Sequence, residues 1–157
     1  MKITILLTAK TEDGWVKLGF LQYLKRLEHY CTLEVIEISA PKQHSKLDTV
    51  AQNRAEGELQ LAKIAPTDRL ILLDEKGKEF SSLEFSTWIE KQQVAGYKRI
   101  VFLVGGPFGF SEMVYQRAND KISLSQMTFS HQMVRVILAE QLYRAFSIIK
   151  GEKYHHL

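Results

Sequence analysis

Three stretches of this chain combine residue types that can do chemistry. The first is the bend Gly105-Gly106-Pro107-Phe108-Gly109, which follows an apolar run at residues 100–104. A glycine-rich bend at the carboxyl end of a buried strand lets a ligand approach backbone amides without interference from Cβ atoms. It is not a phosphate loop. No Gly-Lys-Ser/Thr ending follows, and neither the glycine spacing nor the position after a late strand fits the dinucleotide fingerprint. A tight turn that uses glycine for positive φ explains the same residues. The second stretch, Leu124-Ser125-Gln126-Met127-Thr128-Phe129, mixes apolar bodies with hydroxyl and amide groups and can cradle an adenine ring. It reads equally as a helix entry with Thr128 or Ser130 as the N-cap. The third runs through Arg144, Lys150, Lys153, Tyr154, His155 and His156. Cations around one aromatic suit phosphates and an unstacked base, and they also suit a solvated helix end, where positive charge favours the macrodipole.

Other candidates are weaker. His29, His44, His131, His155 and His156 form no metal-ligand pattern, and neither a cysteine pair nor a His-Glu-x-x-His segment supplies one, so no metal is expected. His131 and Arg135 lie one helical turn apart and can project toward a common site, although capping and surface roles fit them too. Glu140 and Arg144 read as an i,i+4 pair. Asp74-Glu75 follows a strand and can be catalytic, or can form a solvated turn before Gly77. No serine lies in a Gly-x-Ser-x-Gly elbow, which argues against the common hydrolase arrangement.

The elements that must position these residues alternate. Apolar runs at 3–8, 33–39, 70–73 and 100–104 are rich in β-branched residues and read as strands. Helical segments at 15–27, 46–64 and 83–94 are long enough to cross between parallel neighbours. Ser81 with Glu84 forms a capping box at the start of the third. The run at 100–104 is continuously apolar, as expected for a central strand covered on both faces. A short helix near 112–117, a brief strand around 122–124 and a helix over about 130–150 follow. The prediction is an α/β fold, a mainly parallel sheet with helices on both faces. The last helix carries apolar residues on more than one stripe, and Trp15, Leu18, Phe20, Leu21, Tyr23 and Leu24 exceed one face of the first. A homodimer using both helices accounts for this surplus.

Composition sets bounds. The 157 residues fit one domain spanning 1–157, and 45% hydrophobic residues suffice for a single core. A net charge of +3 is compatible with RNA without pointing to it. The lone Cys31 can form no internal disulfide, which makes the cytoplasm the default compartment. No stretch approaches the roughly 18 apolar residues of a membrane span, and the opening residues read as a first strand rather than a leader.

Several motifs occur together in a specific order. They are Lys2-Ile3-Thr4-Ile5, Leu73 before Gly77-Lys78, Ser81-Ser82, Val104-Gly105-Gly106 with Gly109, and Gln116-Arg117. Beyond them come Leu124-Ser125-x-Met127-Thr128-Phe129-x-His131-Gln132-Met133-x-Arg135, Glu140-Gln141-x-Tyr143-Arg144-Ala145 and Tyr154-His155. On these residues the chain resembles, from end to end, the bacterial ribosomal RNA large-subunit methyltransferase H family, a minimal SPOUT enzyme. The resemblance implies a C-terminal trefoil knot, an exception to unthreaded topology. It implies S-adenosyl-L-methionine as methyl donor, bound at Leu73, Gly105, Leu124, Ser125, Gln126, Met127, Thr128 and Phe129. It further implies a homodimer that methylates N3 of a pseudouridine in 23S ribosomal RNA, within the large subunit or the assembled ribosome. Arg135, Arg144 and His155 are then expected to stabilise the developing imide anion, with His155 or a water it holds accepting the proton and Tyr154 stacking on or orienting the base. Two departures stand out: His156 replaces the family's usual Arg or Lys, and Pro107-Phe108 replaces smaller polar residues. The rival readings are a non-catalytic RNA- or ribosome-binding protein of the same fold and a flavodoxin-like small-molecule enzyme. The second is disfavoured because Thr8-Ala9-Lys10-Thr11 offers no glycine-rich cradle.

Overall fold

In a computed structural model, which describes residues 1–39 and 42–156, the first apolar run forms β1 (Lys2–Thr8), and every residue of it after Lys2 is buried. Leu157 of the expected domain lies outside the described residues. The chain continues through α1 (Gly14–Leu27), β2 (Thr32–Ile38), a 3-10 turn (Lys42–Lys46), α2 (Thr49–Leu61), β3 (Arg69–Glu79) and α3 (Ser82–Val94). It ends with β4 (Arg99–Val104), α4 (Glu112–Arg117), β5 (Asp120–Ser123) and α5 (Met133–Ile149). The strands form one sheet in the order β2-β1-β4-β3-β5, and every ladder in it is parallel. Parallel neighbours require crossovers, which the helices supply.

Strand periodicity sorts the core into two layers. Ile3, Ile5, Leu7, Ile71, Ile100, Phe102 and Val104 point to one face, where they pack with Phe20, Leu24, Phe85, Ile89, Leu138, Leu142 and Phe146 of α1, α3 and α5. Leu6, Leu70, Leu72, Val101 and Leu103 point to the other, toward α2 residues Leu59 and Leu61 and α4 residue Val114. Each fully buried Leu or Phe of this kind contributes about 1.5 to 3 kcal/mol. The continuously apolar run is therefore a central strand with helices on both faces, as its pattern predicts.

Several boundaries differ from the sequence reading, among them β2 and β5, which run Thr32–Ile38 and Asp120–Ser123 in place of 33–39 and 122–124. The expected helix over 46–64 is α2, which starts at Thr49 because the Asp48 side chain accepts from the Ala51 amide at 2.8 Å. The strand expected at 70–73 continues to Glu79. Leu73 and Lys78 both register with Ile122, so residues 74–77 bulge out of the ladder and the charged residues after them rejoin it. Regular helix α5 begins at Met133, and Ser130, one of the two expected caps, accepts from the Met133 amide through its hydroxyl and from the Val134 amide through its carbonyl, each at 3.1 Å. The capping box at Ser81 and Glu84 is present as expected.

Candidate functional site

At the carboxyl ends of β3, β4 and β5 the chain leaves a cleft of about 490 Å³, within the roughly 300 to 1,000 Å³ typical of small-molecule sites. Three loops wall it: residues 73–76, 104–110 and 122–129, with Tyr115, His131 and Val134 completing the lining. The glycine bend and the segment leading into α5, ambiguous on sequence, are thus sides of one depression.

Each wall has a local cause. The bulge after Leu73 exists because Gly77 passes so close to β5 that an added Cβ would stand 2.6 Å from the Ile122 backbone. Asp74 turns the bulge by accepting from the Lys76 amide at 2.8 Å, and the Tyr115 hydroxyl donates to the other Asp74 oxygen at 2.6 Å. Burial, then this bond, pushes the Tyr115 phenol up to about 12, so it remains a neutral donor. In the second wall Gly109 has φ +73 and its amide bonds back to Gly106, which matches the tight-turn reading of the glycines. A Cβ at Gly105 would meet the Phe110 ring at 2.9 Å, so glycine there lets the bend fold onto Phe110 as well as leaving backbone open to the cleft. In the third wall Ser125 Oγ accepts from the Met127 amide at 3.0 Å, Ser123 donates to the Ser125 carbonyl at 2.8 Å, and Thr128 donates to Glu75 at 2.9 Å. Thr128 therefore ties two walls together instead of capping α5.

Of the expected donor-binding residues, Leu73, Gly105, Leu124, Ser125, Met127, Thr128 and Phe129 line the cleft. Gln126 belongs to the same loop, with its side chain 3.4 Å from Glu79. Apolar Leu73, Phe110, Ile122, Leu124 and Val134 offer flat contact, exposed backbone of the third wall offers hydrogen bonds, and Asp74 and Glu75 supply negative charge. This combination suits a small ligand with an apolar ring and a positive charge. Among the described residues no group of three or more His, Cys, Asp or Glu side chains is placed to hold a metal ion, and no helix is long and apolar enough to cross a membrane.

The expected catalytic residues fall elsewhere. Arg135 is fully buried; its guanidinium donates to the carbonyls of Thr8 at 3.0 Å and Ala9 at 3.2 Å and to Thr11 Oγ1 at 2.8 Å. Desolvation lowers its affinity for a proton from the ordinary arginine value, opposed by Glu37 and Glu12. Gln132 bonds to the same loop, at the Lys10 carbonyl and the Glu12 amide. His131 and Arg135 therefore diverge, His131 to the cleft and Arg135 to the loop after β1, where Ala9 holds a φ of 69. Arg144, Tyr154 and His155 cluster with Glu140 and do not line the cleft. Ten residues separate Arg144 from Val134 on α5, about 15 Å along the helix axis, so one chain holds the two groups well apart.

Sequence reading missed a buried polar stripe on α2. Asn53, Glu56 and Gln60 face the strand ends beneath the glycine bend. Asn53 donates to the Phe108 carbonyl at 3.0 Å and Gln60 to Thr8 Oγ1 at 2.9 Å, while Glu56 lies against Gly106. Their i, i+3, i+7 spacing on a helix that must pack on a sheet was the available signal.

Known proteins match the whole length. The family model described as Predicted SPOUT methyltransferase matches residues 1–155. Ribosomal RNA large subunit methyltransferase H of Cytophaga hutchinsonii is 51% identical over 156 residues, covering 99% of this chain and 100% of the relative. The proteins of the same name from Parabacteroides distasonis and Porphyromonas gingivalis are 50% and 46% identical, with 99% of each chain covered. A parallel sheet with a three-loop cleft at its carboxyl edge, matched along nearly every residue by that family, makes this chain a member of the SPOUT methyltransferase family.

Proposed function

We propose that the chain, as one domain over residues 1–157, transfers a methyl group from S-adenosyl-L-methionine to N3 of a pseudouridine in 23S ribosomal RNA in the bacterial cytoplasm. The observation that carries this reading is the convergence of residues 73–76, 104–110 and 122–129 on one cleft. The relatives' names supply the ribosomal RNA, and the motif resemblance supplies the pseudouridine.

The donor brings a methyl on a positively charged sulfur, already a good leaving group. N3–H is replaced by N3–CH3: the proton leaves to solvent, and the carbon–sulfur electron pair stays on sulfur. The protein's work is to align the acceptor and favour loss of the imide proton. Leu73, Gly105 and residues 124–129 hold the donor, and Asp74 and Glu75 complement its charge. Arg135 acts as a positioning residue that fixes residues 8–11 from inside. The trefoil threading remains what the resemblance implies; Gln132 and Arg135 fix the start of α5 to residues 8–12.

A homodimer resolves the separation along α5. Trp15, Leu18 and Leu21 of α1 are 60%, 73% and 51% exposed, an apolar strip on that helix. Pairing two copies there sets the Tyr154 and His155 tail of one chain at the cleft of the other, where the RNA base enters. The test is incubation with labelled donor and bacterial ribosomes lacking the modification, followed by mass spectrometry of 23S nucleosides. The reading expects one methyl on a pseudouridine; absence of label from 23S RNA contradicts it, and RNA binding without label would favour the non-catalytic rival.

A further inference from the structure

Arg144 Nη1 lies 3.2 Å from His155 Nδ1. A guanidinium keeps all its protons and has no acceptor, so the contact is a bond only if Nδ1 carries a lone pair. A neutral imidazole with a bare Nδ1 holds its hydrogen on Nε2, which makes no bond among the described residues.

The arrangement is held from behind by Glu140. Its carboxylate, 16% exposed, accepts from Arg144 Nε at 3.0 Å, from the Tyr154 hydroxyl at 3.1 Å and from Gln141 at 2.7 Å, and Gln141 in turn accepts from Ser82 of α3. The Tyr154 hydroxyl also lies 3.4 Å from that of Tyr23. Burial, then the Tyr23 bond and Glu140, pushes the Tyr154 phenol up. The Tyr154 ring stands edge-on to Tyr143 at 4.6 Å and under the Arg144 guanidinium at 4.7 Å. Every partner around the imidazole is thus fixed before substrate arrives.

From this geometry we infer that His155 is a locked hydrogen-bond donor through Nε2, with Arg144 setting its form and Glu140 as the positioning residue behind both. The inference deepens the proposed methyl transfer and rests on it for its catalytic consequence. A group with hydrogen on Nε2 cannot take the imide proton there, and the Nδ1 lone pair is already engaged by Arg144. The Nε2 hydrogen instead meets a carbonyl oxygen flanking N3, where negative charge collects as the proton leaves to water. The Arg144 charge reinforces it through the ring. Of the two roles the resemblance implied for His155, this keeps anion stabilisation, now through a neutral Nε2 donor, and removes proton acceptance.

The test begins on the full-length protein with ¹⁵N-labelled histidine. Two-bond proton–nitrogen correlation is expected to show His155 with a pyrrole-type Nε2 and a pyridine-type Nδ1. That preference should collapse toward a mixture in Arg144→Met, and in part in Glu140→Gln, which keeps its shape and guards against a folding defect in the first variant. A wild-type His155 carrying its hydrogen on Nδ1, or a form indifferent to both substitutions, overturns the assignment. Turnover then tests the role. Glutamine places an amide donor near the Nε2 position, so His155→Gln should keep methyl transfer within about tenfold, while His155→Ala should lose about 10²- to 10³-fold, the usual cost of an oxyanion donor. A His155→Gln protein as slow as His155→Ala removes the donor role. The spectra need no substrate, so failure of the proposed reaction in the wild type leaves the tautomer result standing and separable.

Discussion

At residue scale, Gly77 shows how little freedom the cleft has. Replacing it with alanine drives a methyl to within 2.6 Å of the Ile122 backbone, and because backbone cannot swing aside, β3 and β5 must part. Overpacking of this kind costs about 1 to 3 kcal/mol; thermal melts should register it, and an unchanged melting temperature would show that the bulge can shift at no cost. Tyr115→Phe is milder. It deletes the hydroxyl that holds Asp74, a bond worth about 1 kcal/mol, so the melting temperature should fall by about 2 to 4 °C and donor affinity measured by calorimetry should weaken as Asp74 is released. At this scale the sequence was partly legible: Ser81 with Glu84 and Glu140 with Arg144 pair as their spacing implies. Arg135 was not. Nothing in its local sequence says that a cation at the start of an exposed-looking helix turn will be fully buried against the carbonyls of residues 8 and 9, because those partners lie more than a hundred residues away.

At the scale of elements, the amino ends of β3 and β4 are clamped by Asp68. Its carboxylate accepts from Arg99 Nε at 2.9 Å and from a second Arg99 nitrogen, and from the Ala65 amide at 2.6 Å, while Arg117 bonds the carbonyls of residues 65 and 68. The Arg99 guanidinium holds the Asp68 carboxyl below its ordinary value, despite the opposing effect of burial, and Asp68 raises Arg99 in return. A depressed carboxyl contributes stability that is present above the unfolded value near 4 and lost as pH falls through the depressed one. Asp68→Asn should therefore cost about 1.5 to 3 kcal/mol at neutral pH, the range for hydrogen bonds to a charged group, and should flatten the decline of melting temperature as pH falls below about 4. A variant as acid-sensitive as the wild type would assign that decline to other groups. Strand positions were readable because β-branched runs mark them, whereas the second half of β3 was not. Residues 74–79 are charged apart from Gly77, and the strand resumes after the bulge only because Lys78 and Glu79 pair with Ile122 and Ser123.

At the scale of the whole molecule, the parallel sheet and its two helical layers followed from the alternation of apolar runs with crossovers, and the cleft followed from where three loops end. What local pattern could not supply was the distance along α5 between the cleft and the Arg144, Tyr154 and His155 cluster, since a resemblance names residues of a shared site without saying which copy contributes each. The proposed dimer makes a definite demand here. Leu18→Glu adds charge to the exposed strip on α1, so sedimentation should report one chain's mass instead of two, and methyl transfer should fall by at least tenfold while the donor still binds. Full activity from a monomer would place the whole site in one chain. The claim beneath all of this is that the glycine bend and the segment entering α5 grip the donor between them. An NMR titration of the ¹⁵N-labelled protein with S-adenosylhomocysteine tests it most directly. Amide shifts concentrated at residues 73–76, 104–110 and 122–129 are the result expected, and saturable binding that leaves those amides unmoved would contradict the account.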